Sequence, residues 1–285
     1  MILDSVHPVK VFIDASDPPS LVQEGVEWGD VYAKINVDYN EIPDTAKHKV
    51  LPIGPSFGIK IWNLPQSLLL ALVRYLKFGD SIENPREHFA GYYRQWRYRL
   101  PESLFIPGRS RNDYIFFAGS LWKREPETNT YRANFIRVCS SLEGIKFEGG
   151  FAPRTRNDVP GFEDLTMIQR IPFPEYLRKL KVSSVAFNTP AVASCHGWKL
   201  AEFLALGKAI ISTPLTRELP HPLEHGVHIH YVDGSIESIR QAVVDICGNP
   251  NYRRKLEENA RKYYVAHLQP VQVIDRILSF ARGIQ

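Results

Sequence analysis

The chain has 285 residues, 44% of them hydrophobic and 23% charged, which is the make-up of a folded protein of one or two domains rather than a disordered one. Thirty-five Lys and Arg against 31 Asp and Glu leave a net charge of +4. That surplus is too mild for a nucleic-acid protein, while an anionic small molecule or an anionic membrane surface stays open. In chain order, residues 11–14 predict a first short strand, broken by Asp17-Pro18-Pro19. Two more strands are expected at 31–36 and 49–53, and a Gly/Pro loop at 54–58. Leu68, Leu69, Leu72, Val73 and Leu76 recur at helical spacing and predict a helix over 65–78; a second is expected over 86–98. Pro101 and Pro107-Gly108 read as a linker.

From residue 112 the pattern becomes regular. Strands are expected at 114–118, 145–148, 184–187, 209–212 and 228–232, with helices at 129–142, 174–180, 198–206, 235–247, 250–264 and 270–282. Gly207 suits the position just past a helix end. Strands alternating with helices imply right-handed βαβ units, so 112–285 is expected to be a doubly wound parallel-sheet α/β domain behind a shorter domain over 1–111. Such sheets take their ligands at the carboxyl ends of the strands.

Common phosphate and hydrolase signatures are absent: no GxGxxG, no GxxxxGK[ST], no Gx[SC]xG elbow, no Asp-x-Asp and no HExxH. Cys139, Cys195 and Cys247 are odd in number and far apart, which argues against a disulfide framework or a zinc ribbon and fits a reducing compartment. The N-terminus carries neither a basic n-region nor an apolar h-region. The longest apolar run, within 67–73, is far short of the ~20 residues that span a bilayer. A cytoplasmic protein is expected, with peripheral contact at a membrane left open.

The most informative stretch is 194–212, Ser-Cys-His-Gly-Trp-Lys-Leu-Ala-Glu-Phe-Leu-Ala-Leu-Gly-Lys-Ala-Ile-Ile-Ser. It is a glycine turn at the start of a helix that follows a strand. The free N–H groups and positive end of such a helix attract phosphate. Lys199 sits in the first turn, where a cation opposes the helix dipole unless an anion is bound. Glu202, one turn past Gly197, can accept hydrogen bonds from a ribose diol, or else it is a solvated helix residue.

This stretch resembles the C-terminal half of GT-B-fold glycosyltransferases, above all the retaining group-1 (family four) set and its exostosin-like relatives. Their signature is Glu-Gly-Phe-Gly-x-x-x-x-Glu-Ala-x-Ala-x-Gly-x-Pro-Val-Ile. Gly197 matches its second glycine, Glu202 its second glutamate, and Ala205 and Gly207 the following Ala-x-Gly. The resemblance implies that Glu202 binds the ribose of a nucleotide sugar. The family's first glutamate, which usually touches the donor sugar, falls at Ser194, a departure. Phe116-Phe117-Ala118-Gly119-Ser120-Leu121-Trp122-Lys123-Arg124 resembles the family's opening strand and Gly-Arg-Leu…Lys loop, which implies a diphosphate contact from Lys123 first and Arg124 second. The likeness covers about 112–270. In these enzymes a Rossmann-like first domain holds the acceptor. Here it is short, so the chain is either a compact variant or lacks an upstream portion.

Other residues carry weaker signals. Asp14 and Asp17 lie near a strand end and are candidates to act as base or to position an acceptor hydroxyl, although aspartates before prolines often cap turns. His196 is a candidate contact for donor phosphate or sugar, and Thr213 follows the fourth strand of the second half, where a donor would border it. His228 and His230 share one strand face, but a metal needs a third ligand, and none is expected. Arg154, Arg156 and Arg170 lie where a base could dock. Residues 88–99 interleave aromatics with arginines, which suits either a core helix with an amphipathic neighbour or a membrane or oligosaccharide face. The expected function is glycosyl transfer from a nucleoside-diphosphate sugar to a hydroxyl of a glycan or lipid-linked acceptor, with no metal, no cofactor and no nucleic acid. The alternatives are a nucleotide-sugar epimerase on the same fold and a non-catalytic sugar-nucleotide or glycan-binding protein.

Overall fold

A computed structural model describes residues 2–3, 8–155 and 158–284, so Arg156 lies outside the described residues. The chain divides into two compact units, one made of Met1–Ser56 with Pro107–Gln285 and the other of Phe57–Ile106.

The first unit holds two sets of strands, parallel apart from the edge strand of the first. In the first, β1 (Ile2–Leu3), β2 (Val9–Asp14), β3 (Val31–Lys34) and β4 (Val50–Pro52) lie side by side in that order. β1 runs antiparallel to β2, and the rest are parallel. The short helices α1 (Gln23–Trp28) and α2 (Asp44–Lys47) connect the parallel strands. Neither is long enough to show a helical period, so neither was expected. Side chains alternate along β3. Val31 and Ala33 face one side, where Ile277 and Ala281 of α10 (Pro270–Ile284) pack on them. Tyr32 faces the other, against Val37, Ile42, Ala46 and Val50. The expected helix at 270–282 is therefore present, but it covers the first sheet rather than the second.

In the second set β5 (Tyr114–Gly119) pairs with β6 (Lys146–Phe151), and β7 (Val185–Asn188) with β8 (Ala209–Ser212) and then β9 (His230–Tyr231), all parallel. Ser184 and Ser183 join β5 to β7. The Ser184 amide donates to the Tyr114 carbonyl at 2.8 Å, and the Ser183 hydroxyl accepts from the Phe116 amide at 2.9 Å. Ile115 and Phe117 point toward α5 (Pro126–Ser141) and α8 (Ile236–Gly248), where the Phe135 and Phe187 rings stack 4.4 Å apart. Phe116, one residue out of phase, meets the Tyr176 ring of α6 (Phe173–Val182) on the opposite face. Helices thus lie on both faces, the doubly wound arrangement expected for this half.

Two glycines are required by geometry. α7 (Trp198–Ala205) ends with Gly207 at φ 56°, where the Gly207 amide donates to Leu204 and the Lys208 amide to Phe203, closing a Schellman cap. Gly149 of β6 has φ 121°, and a Cβ there would collide with the Phe117 carbonyl of β5. Gly149→Ala is expected to cost about 2–4 kcal/mol, because both backbone strain and a broken β5–β6 ladder contribute. Urea unfolding checks this; a loss below about 0.5 kcal/mol would mean that the strands part without penalty.

The second unit is a helical hairpin, α3 (Leu64–Phe78) and α4 (Pro85–Tyr98). Asn63 and Asn84 cap the two helices, each side chain accepting from an amide three residues on, at 3.0 Å. α3 buries Ser67 and Ala71, and the His88 ring of α4 bonds to the Ala71 carbonyl at 3.0 Å. The leucines that identify α3 in the sequence are exposed instead: Leu68, Leu69, Leu72, Val73 and Leu76 all face solvent.

Candidate active site

Two adjoining cavities open at the carboxyl ends of β5 and β7. The first, about 290 Å³, is lined by Ser120, Arg132, Asn188, Thr189, His196 and Lys199 among others, with Asp17 at its edge. The second, about 340 Å³, is lined by Gly119, Arg170, Tyr176, Trp198, Lys199 and Glu202 among others. Trp198 and Lys199 line both, so the first turn of α7 stands at their boundary.

Lys199 is held by the strand beneath it. Its ammonium donates to the Ala118 carbonyl near the end of β5 and sits over the Phe117 and Tyr176 rings, 5.7 and 5.6 Å from their centroids. Burial of that ammonium, with the Arg132 charge nearby, pulls its pKa down to about 8, against the opposing pull of Glu202. Arg132 reaches in from α5, donating to the Thr189 hydroxyl at 3.0 Å and the Ser120 carbonyl at 2.8 Å. Burial draws its pKa down to about 10. Two half-buried cations thus line one cavity beside the start of α7. Gly197 is the N-cap of that helix and, lacking a side chain, offers the first-turn amides no cap of its own. A diphosphate placed there would supply the counter-charge.

Glu202 is 7% exposed, faces the second cavity and accepts a 3.3 Å bond from the Tyr176 hydroxyl. His196 is 4% exposed, and burial pushes its pKa down to about 4, leaving the ring neutral at pH 7. Its Nε2 meets the Arg217 carbonyl at 3.0 Å, and its amide donates to the Asn36 side chain at 2.8 Å. Since Asn36 also donates to the Ser16 carbonyl at 3.2 Å, His196 ties the α7 turn to the loop after β2. Ser194, at the position of the family's first glutamate, has φ 57°, and its neighbour Ala193 has φ 54°. Two successive left-handed residues cost about 1–3 kcal/mol each. Bonds from outside hold them: the Ala193 amide donates to Glu125, Arg217 donates to the Ala193 carbonyl, and Thr216 donates to the Ser194 carbonyl.

The structure brings Gly119, His196, Gly197, Lys199 and Glu202 to these cavities, with Asp17 at the rim. Lys123 and Arg124 are exposed on the loop after β5 and line neither cavity. Thr213 is 2% exposed and its hydroxyl finds no hydrogen-bond partner among the described residues, but it lines neither cavity. Asp14 also lies away from both. It is buried against Lys34 at 2.7 Å, with the Tyr32 hydroxyl donating to it at 2.7 Å and the Ser16 amide at 2.8 Å. Burial raises its pKa, but these bonds, Lys34 foremost, outweigh it and hold the carboxyl below its ordinary value. Arg154 is paired with Asp158 at 2.7 Å. Among the described residues no group of three or more His, Cys, Asp and Glu is placed to hold a metal ion.

Sequence reasoning missed Arg132 and Trp198. Arg132 belongs to no motif, and the expected helix at 129–142 begins three residues late, which hides that α5 opens beside the end of β5. Trp198 was legible, since it directly follows the glycine turn, and its 51% exposure at the cavity boundary marks it.

No family model matches the chain, and no curated protein matches it by sequence. Solved structures do. A glycosyltransferase from Rickettsia africae ESF-5 superposes with a TM-score of 0.50 at 9% identity, over 96% of this chain and 70% of that one. A mutant of S. aureus TarM, solved with fondaparinux, alpha-GlcNAc-glycerol and UDP, gives 0.52 at 7% identity, over 94% of this chain and 50% of that one. This chain therefore spans about half the length of TarM. The fold is that of GT-B glycosyltransferases.

Proposed function

We propose that this protein is a glycosyltransferase that takes a sugar from a nucleoside diphosphate and delivers it to a hydroxyl of a glycan or lipid-linked acceptor. One observation supports the reading above the others: Lys199 and Arg132, both half-buried, converge beside the start of α7, with Glu202 one turn on. In this reading the diphosphate lies across the α7 amides. Charge that builds on it as the glycosidic bond breaks is met by Lys199 and Arg132, so side chains and backbone rather than a metal ion supply the positive charge. Glu202 accepts from the ribose diol. Trp198 presents its ring at the boundary of the cavities, where it can stack on base or sugar. Asp17 faces the first cavity and orients or deprotonates the acceptor hydroxyl, while Lys123 and Arg124 engage the donor only if their loop closes over it.

The test is a thermal-shift panel of UDP, GDP, ADP and CMP with their sugars, on the wild type and on Glu202→Gln. A ligand at 100 times its Kd should add about 2.7 kcal/mol. One base is expected to stabilise the wild type and to lose most of that effect in the variant. No shift with any nucleotide would sink the proposal. Donor converted in the absence of any acceptor would point to an epimerase instead.

A further inference from the structure

The hairpin Phe57–Ile106 carries features that sugar transfer does not use. At ~100° per residue, Leu68, Leu72, Leu76, Leu69 and Val73 fall in one arc of about 140° along α3, facing away from the buried Ser67 and Ala71. Their exposure runs from 48% for Leu72 to 76% for Leu76. Isolated exposed leucines need no explanation, but four leucines and a valine on one face of a 15-residue helix form a patch that does. The charge of the unit identifies what covers it. Its 50 residues hold seven Lys and Arg against four Asp and Glu, so the hairpin carries +3 of the chain's net +4. Basic and aromatic groups meet at the C-terminal ends of both helices: Lys77 lies over the Phe78 ring at 5.2 Å and Arg97 over Tyr98 at 5.8 Å. Tyr93 and Tyr98 are also exposed.

We propose that the hairpin docks on an anionic lipid surface, with the α3 leucine stripe entering the headgroup–acyl boundary and the Lys and Arg contacting lipid phosphates. A second copy of the chain fits less well, because it would set one +3 unit against another. The helix is about 22 Å long against a hydrocarbon core of about 30 Å, so it lies in the interface rather than crossing it. Among the described residues no helix is long and apolar enough to cross a membrane. The proposal needs no donor chemistry and stands or falls separately from it.

Co-sedimentation with vesicles of phosphatidylcholine alone, and of phosphatidylcholine with phosphatidylglycerol, is the test, with light scattering on the same samples. The wild type is expected to bind the anionic vesicles at least tenfold more tightly than the neutral ones and to release as salt is raised. The double substitution Leu72→Glu with Leu76→Glu is expected to abolish binding while its melting temperature is unchanged, since both side chains are already in solvent. Three results would overturn the proposal: no binding by the wild type, equal binding by the variant, or a wild-type dimer that the variant dissolves without any vesicle binding.

Discussion

Replacing Lys199 with methionine is expected to lower kcat/KM about 10²–10³-fold while the fold survives. Methionine keeps much of the stem that packs on Phe117 and Tyr176 but deletes the charge that, in the proposed site, would face a diphosphate. The pH dependence makes this specific. Because the pKa of Lys199 is drawn down to about 8, the group is charged below that pH and loses its charge as pH rises through it. Donor affinity in the wild type should therefore fall across that range, and in Lys199→Met it should be weak and flat. Stability runs the other way. The unfolded chain holds the proton up to about pH 10.4, so between 8 and that value it binds more protons than the folded one, and stability rises with pH. That rise should vanish in the variant. Donor titrations and melting curves from about pH 6.5 to 9.5 read both effects. A variant with wild-type affinity and an unchanged profile would remove Lys199 from the site.

How far the sequence carried differs by element. The second half was legible because its strands and helices are long enough to show their periods: the strand at 209–212 and the helices around 198–206 and 250–264 stand within a residue or so of their expected bounds. α1 and α2 were not, being six and four residues long. α3 was read correctly as a helix, yet its period could not say whether the leucine stripe met a core or solvent. Periodicity identifies an apolar face but not its partner. The same limit hid which sheet α10 covers. At the site, the α7 turn was legible because Gly197, Lys199 and Glu202 sit on one short helix. Arg132 was not, because it reaches the cavity from α5, some 67 residues earlier in the chain, and the tertiary fold rather than any local pattern brings it beside α7.

Asp14 and Asp17, three residues apart and alike in sequence, are expected to fail in opposite ways. Asp14 and Lys34 are sealed from solvent, with side-chain exposures of 4% and 0%, so Asp14→Asn leaves a buried ammonium without its counter-charge. Breaking such a pair from one side costs about 3–5 kcal/mol. Adding Lys34→Met to Asp14→Asn should recover part of the loss, since no lone charge then remains. The sign of the pH effect follows from the lowered pKa of Asp14: its contribution is present above its unfolded value of about 3.8 and is lost as pH falls through the folded one. Wild-type stability should thus drop in acid, and the double variant should show less of that drop. Asp17 is exposed at the cavity rim, so Asp17→Asn should change stability by no more than about 0.5 kcal/mol. If it orients or deprotonates the acceptor, the same change should cut turnover about 10²–10⁴-fold with donor binding intact. Urea unfolding and turnover, measured on both single variants, separate a carboxylate that holds the loop from one that serves the reaction. If Asp14→Asn folded with wild-type stability and Asp17→Asn turned over at the wild-type rate, both assignments would fall together.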